Sequence, residues 1–206
     1  MKDFLYGICA GILIGIGGTV FLASENRVCG AVFFSVALIY ICAKGYSLYT
    51  GKVGYLAFSH KRKDIGNLTF CFLGNLIGTF AAGSAIRFSQ STLCEKAAAL
   101  CDAKLLQSVS SALLRALFCG ILMYLAVSVY RERNTFIGIL FCVPVFILSG
   151  FEHSIADLYY FFAAGIFSLR ATAYLILIVL GNSAGGLLFP AIARLAEKQN
   201  AKGETK

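Results

Sequence analysis

The sequence predicts an all-α integral membrane protein, with six transmembrane helices laid out as an inverted 3+3 repeat and the second and fifth helices broken. Three observations carry this reading. Apolar residues make up 59% of the 206-residue chain and charged ones 14%, and the mean hydropathy is +0.80. Soluble domains hold nearer 45–50% apolar residues. Two of the apolar runs are too long for one span and are interrupted by polar residues. One local pattern, G-N-x-x-G, occurs once in each half of the chain.

A helical span needs about 20 mostly apolar residues, so six fill this length with short connections. Residues 4–23 form the first. Their length, and the strong spans that follow, mark a retained helix rather than a cleaved signal peptide. Residues 28–58 are the second run, interrupted by Lys44-Gly45-Tyr46-Ser47-Leu48-Tyr49-Thr50-Gly51-Lys52-Val53-Gly54. Residues 68–88 and 109–130 are the third and fourth. The fifth, 136–169, is interrupted by Ser149-Gly150-Phe151-Glu152-His153-Ser154-Ile155. The sixth is 171–196, and the loop before it is reduced to about 169–172.

Each interrupted run precedes an unbroken one, and the unbroken ones share Gly74-Asn75-Leu76-Ile77-Gly78 and Gly181-Asn182-Ser183-Ala184-Gly185. Small residues four apart let helices approach closely. Asn75 and Asn182 are placed to hold the broken backbone nearby. Three spans per repeat force the halves to insert with opposite topology, and paired broken helices put a site at the bilayer midplane. One transmembrane domain is expected over 1–196, with repeats of about 4–88 and 109–196, followed by a polar cytoplasmic tail at 197–206.

The net charge of +8 is not a nucleic-acid footprint, because the basic residues sit at the ends of apolar runs. Ten of them fall on one side (Lys2, Lys61, Arg62, Lys63, Arg131, Arg133, Arg194, Lys198, Lys202, Lys206). Five fall on the other (Arg27, Arg87, Lys96, Lys104, Arg170). The richer side is the cytoplasmic one, so both termini are inside. The eight cysteines include no C-x-x-C, and most lie in apolar runs, where free Cys packs as a small hydrophobe. Cys94 and Cys101 share one loop and are the pair able to bridge in an oxidising compartment. No His/Cys cluster has metal-ligand spacing, and neither a metal nor a cofactor is expected.

Ionisable groups at membrane depth cost about 2.5–3.5 kcal/mol or more each, so they face a cavity or a partner. His153, beside an acid and a glycine, reads as a protonatable group facing a narrow pore; a buried neutral His bonded to a backbone carbonyl is the plainer reading. Glu152 reads as structural, orienting His153 or accepting exposed backbone N–H groups. Thr50 is a neutral donor and acceptor able to hand a small ion across, and equally a cap for the second half-helix. Lys52 either reaches an aqueous vestibule and draws anions, or snorkels. Lys44 is harder to accommodate at its depth. Arg115 reads as an inter-helix or subunit contact. Walker, zincin and nucleophile-elbow motifs are absent, which leaves ATP hydrolysis and intramembrane proteolysis without their usual parts. A membrane-embedded enzyme lacks a second polar cluster, and a purely structural protein has no need of two matched breaks. A pore for a neutral solute such as ammonia or water is the remaining alternative.

Gly150-Phe151-Glu152-His153-Ser154-Ile155-Ala156-Asp157 resembles the G-F-E-H-S-(I/V)-A-(N/D) signature of the formate/nitrite transporter family. Leu48-Tyr49-Thr50-Gly51 is similar to that family's L-(F/Y)-T-(G/S) loop, and both G-N-x-x-G segments match. The resemblance runs from Lys2 to about Leu195. It implies an aquaporin-like protomer in a homopentamer, each with its own pore for small monovalent anions of weak acids: formate, nitrite, hydrosulfide, acetate or lactate. It implies that Thr50 and His153 are the central polar pair, with passage proton-coupled or channel-like. Phe34, Leu38, Leu48, Tyr49 and Phe146 fall where the family places two hydrophobic constrictions. Lys104, in Asp102-Ala103-Lys104, looks like the vestibule lysine. This chain resembles a small member without the amphipathic N-terminal helix. It also carries Lys44 and Lys52 where small or polar residues are expected.

Overall fold

The computed structural model describes residues 1–59 and 61–203, and the side chains through Lys198 apart from that of residue 60. Lys206 lies outside the described residues, as does the side chain of Lys202. Among the described residues the chain is helical, without strands. Helices α1 (Lys2–Ala23), α4 (Arg62–Ser89), α6 (Val109–Arg133) and α9 (Leu169–Gly203) are long, and each is long and apolar enough to cross a membrane. At 1.5 Å per residue the 22 residues of α1 reach about 33 Å, the thickness of a hydrocarbon core. Helix α9 outlasts the apolar run that ends at Ala196 because Glu197 and Lys198 are good helix formers.

The two interrupted runs are broken where the sequence places the polar residues. The first divides into α2 (Arg27–Ala43), a four-residue α3 (Tyr49–Lys52) and a 3-10 turn over Val53–Ala57. The second divides into α7 (Ile137–Leu148) and α8 (Ser154–Ala164). The backbone of the two breaks is the same. Gly45 and Gly150 turn the chain at φ +67° and +68°, a region a side chain rarely enters. Three residues later Leu48 (φ −106°, ψ 125°) and His153 (φ −109°, ψ 109°) start the next helix. Helices α1 and α4 pack together, as do α6 and α9. The closeness comes from the G-N-x-x-G segments: a Cβ on Gly78 would overlap Ile8 O of α1, and one on Gly185 would overlap Leu117 O of α6.

Two expectations are corrected. Residues 91–105, read as a loop, form α5 (Ser91–Leu105), which packs on α8 and α1. Leu93, Ala97, Cys101 and Lys104 are its buried positions, a helical stripe that ends in a charge. Cys94 and Cys101 therefore lie on one helix, and both are free. The connection before α9 is Gly165–Ser168 rather than 169–172. Gly165 ends α8 in a left-handed turn, and Ser168 Oγ accepts from Ala171 N at 3.1 Å to start α9.

Candidate functional site

Breaking a helix inside an apolar layer frees backbone groups that must be satisfied by protein. Asn75 and Asn182 do this in parallel. Asn75 Oδ1 accepts from Tyr49 N at 2.8 Å, while its Nδ2 donates to Ser47 O at 2.8 Å and to Gly7 O of α1 at 2.9 Å. Asn182 Oδ1 accepts from Ser154 N at 2.8 Å, while its Nδ2 donates to Glu152 O at 2.8 Å and to Ala116 O of α6 at 2.7 Å. In each case one buried amide binds the N–H that opens the half-helix, a carbonyl two residues earlier, and a carbonyl of the neighbouring long helix.

The breaks bring Thr50 and His153 together, both fully buried, with Oγ1 and Nε2 2.9 Å apart. Thr50 does not cap α3: it lies inside that helix, and Leu48 stands at the start with no side-chain bond. His153 is itself the cap of α8, its Nδ1 accepting from Ala156 N at 3.1 Å. Since Nδ1 accepts, the ring hydrogen of the neutral imidazole is on Nε2 and is donated to Thr50 Oγ1. The Thr50 hydroxyl hydrogen then has no acceptor among the described residues.

Cavities of about 300 Å³ and 350 Å³ flank this pair. The first is lined by His153 and Phe146 with Arg27, Lys104, Arg115, Glu152 and Asp157. The second is lined by Leu38, Leu48 and Gly51 with Lys52 and Arg131. Phe146 stacks on His153 at 5.5 Å between centroids, and Phe34 meets Phe146 edge-on at 6.1 Å. Phe34, Leu38, Leu48 and Phe146 are all buried; Phe146 lines the first cavity, and Leu38 and Leu48 line the second. Tyr49 is placed differently: its ring lies edge-on to Phe72 of α4 at 5.2 Å and its hydroxyl is 2.8 Å from Ser183 Oγ of α9. A larger groove of about 580 Å³ between α4, α8 and α9 has no ionisable side chain in its wall.

Among the described residues the Glu152 carboxylate accepts no hydrogen bond from the His153 ring or from a backbone N–H. It pairs with Lys104 and accepts from Gln107 Nε2 at 2.6 Å. Lys104 also pairs with Asp157 at 2.9 Å. Burial alone would push the Lys104 pKa down, but the Asp157 and Glu152 carboxylates more than offset it and hold the ammonium above the ordinary lysine range. On the other side Lys52 pairs with Asp3 at 2.6 Å and donates to Ser47 Oγ at 2.8 Å. Lys44 ends α2 on the exposed surface, so the structure does not bring it to either cavity. Arg115 is an inter-helix contact, donating to Gly150 O at 3.1 Å, and also lines the first cavity.

The sequence reading missed Asp157, Asp3 and Gln107. Asp157 lies one turn after His153, at a spacing that faces the same cavity. Asp3 and Gln107 are polar residues at helix ends, where polarity is the rule and singles nothing out.

Comparison with known proteins agrees with this architecture. The model of the formate/nitrite transporter family matches residues 1–196. The nitrite transporter NirC of Escherichia coli (strain K12) is 26% identical, over 87% of this chain and 77% of its own. The uncharacterized transporter YwcJ of Bacillus subtilis (strain 168) is 28% identical, over 91% of this chain and 86% of its own. Among solved structures, a pentameric formate channel with formate bound superposes with a TM-score of 0.77 at 25% identity, covering 96% of this chain and 97% of that one. An FNT family ion channel shares the fold at 21% identity, with a TM-score of 0.78 over 95% and 88% of the two chains. These neighbours are channels and transporters, not enzymes, and with the family match spanning all but the last residues, the chain belongs to the formate/nitrite transporter family.

Proposed function

We propose that this membrane protein conducts small monovalent anions of weak acids along a path that crosses the Thr50–His153 contact between the two cavities. One observation carries the reading: a buried 2.9 Å polar contact near two cavities, one with Phe146 and the other with Leu38 and Leu48 in its wall. A bare anion passing those apolar side chains meets a large desolvation cost, while its neutral acid does not. The Thr50 hydroxyl, with His153 Nε2–H bonded to its oxygen, offers a donor at the point where hydration is least. Phe34, Leu38, Leu48 and Phe146 are the constriction. Tyr49 supports it from behind. Lys52 and Lys104 belong to the two vestibules, and Lys44 to neither. Asn75 and Asn182 hold the breaks.

The architecture proposed is a single domain over 1–196 of six spans, α2 with α3 and α7 with α8 each counting as one. The halves, about 4–88 and 109–196, form an inverted repeat, which the matching Asn75 and Asn182 bonds support. The excess of Lys and Arg on one side supports a cytoplasmic location for both termini and for the tail at 197–206, and the bacterial relatives named above support a bacterial inner membrane. Homopentameric assembly follows the pentameric formate channel named above.

Flux in proteoliposomes across pH tests the reading, for wild type and His153→Ala. Loss of flux, or an altered pH profile, is expected in the variant. The same pH dependence and rate in both would remove His153 from the path. Running formate, nitrite, hydrosulfide and lactate in one assay ranks the substrates. A proton gradient that drives accumulation separates proton-coupled passage from conduction of the anion.

A further inference from the structure

Three cations and two carboxylates line the cavity beside His153. The sequence resemblance picks out Lys104 as the charge that greets an anion there, yet both carboxylates of the cavity pair with Lys104. Arg27 and Arg115 have no carboxylate partner among the described residues. Arg27 Nη2 donates to Ile147 O at 3.3 Å. Arg115 Nη1 donates to Gly150 O at 3.1 Å and its Nε to Ser111 Oγ at 3.2 Å. The two side chains come from the start of α2 and the second turn of α6. Both are anchored on carbonyls at the end of α7, three residues apart. A guanidinium carries five N–H donors, so these contacts leave most of them unused.

We infer that Arg27 and Arg115, not Lys104, form the anion-selecting subsite of this cavity, and that they favour planar two-oxygen anions over single-atom ones. The inference rests on the conduction reading above. A guanidinium fork matches two oxygens held in one plane, as in formate and nitrite, and adds paired hydrogen bonds to the charge attraction. Hydrosulfide presents one acceptor atom and gains the attraction alone. Lys104, locked between Glu152 and Asp157, ties α5 to the second break and is a positioning residue. The competing role for both arginines is to cap the carbonyls of α7 and nothing more.

Arg27→Lys and Arg115→Lys distinguish the two, because lysine keeps a charge and a donor for the carbonyl but loses the fork. Concentration-dependent uptake of formate, nitrite and hydrosulfide is measured in proteoliposomes. The expected result is a half-saturation concentration for formate and nitrite raised on the order of tenfold, with that for hydrosulfide changed by less than about twofold. A parallel shift for all three anions, or no shift in either variant, overturns the subsite while leaving conduction intact. A wild type that carries none of the three overturns the conduction reading and the subsite with it. If Arg115→Lys fails to assemble, Arg27→Lys decides alone, since Arg27 is exposed at a helix start.

Discussion

At the first break the residue opening the half-helix is Leu48 and at the second it is His153, although the glycine turns and the asparagine bonds around them are the same. The residues beside them diverge in the same way. Ser47 stands where Glu152 does, and Lys52 where Asp157 does, each counted from its asparagine-bound N–H. The first break thus presents a cation that draws a carboxylate, Asp3, from α1. The second presents two carboxylates that draw a cation, Lys104, from α5. One backbone solution supports opposite charge arrangements. Backbone satisfaction is what the bilayer demands of any broken helix, so it is fixed in both halves. Charge sign and the polar residue facing the path are free to differ.

The largest expected effect tests the buried member of this pair. Lys104→Met leaves Glu152 and Asp157 side by side, nearly excluded from solvent, with no cation between them. Removing one partner of a buried ion pair costs about 3–5 kcal/mol. A sharp fall in thermal stability of the detergent-solubilised protein is expected. If Lys104→Met melted with the wild type, the distinction between the two breaks would lose its energetic basis.

Next in size are the asparagines. Asn75→Ala and Asn182→Ala each strip bonds from three backbone groups, all buried around Asn182 and all but the half-buried Tyr49 N around Asn75, and an unsatisfied buried group costs about 1–3 kcal/mol. The two variants should lose similar amounts of stability in the same melting assay. A large loss in one and none in the other would show that the breaks are not equivalent supports.

These elements differ in how far they could be read in advance. The breaks were legible because a glycine and polar residues inside an apolar run do not suit an unbroken span, and the paired G-N-x-x-G pointed to the residues that hold them. Thr50 and His153 could be named for the same reason. Helix α5 was not legible: Leu93, Ala97 and Cys101 have Cys94, Ala98, Ala99 and Leu100 beside them, so no stripe stands out, and only packing on α8 reveals a buried face. The partner of Glu152 was missed with it, since Lys104 reaches the break from a segment that reads as a loop. Lys44 is exposed beside the turn at Gly45 and lines neither cavity, which a lysine interrupting an apolar run does not foretell.

A smaller effect separates the two roles of His153. As the start of α8 it accepts from Ala156 N, and as a path residue it contacts Thr50. His153→Asn keeps a side-chain acceptor suited to a helix start, whereas His153→Leu copies the first break. Loss of such a cap costs about 1 kcal/mol. His153→Asn should therefore melt above His153→Leu, while both lose flux because neither reaches Thr50 as the imidazole does. Wild-type flux in His153→Asn would place the function of this residue in the cap alone.

The smallest stability change belongs to the exposed pair. Lys52 and Asp3 are 41% and 25% exposed in their side chains, so water screens their attraction, and such pairs contribute under about 1 kcal/mol. Asp3→Asn should barely alter melting. It removes the only carboxylate pairing with Lys52 among the described residues, however, and leaves the ammonium to the second cavity, which it lines with Arg131. Anion entry from that side should then rise at low ionic strength, and the gain should fade as salt is added and the Debye length shrinks below about 10 Å. The measurement is initial flux against ionic strength for wild type and Asp3→Asn. A gain that persists unchanged in high salt would mean that Asp3 acts by packing α1 against the break, and the contrast between a screened mouth and a buried one would have to be withdrawn.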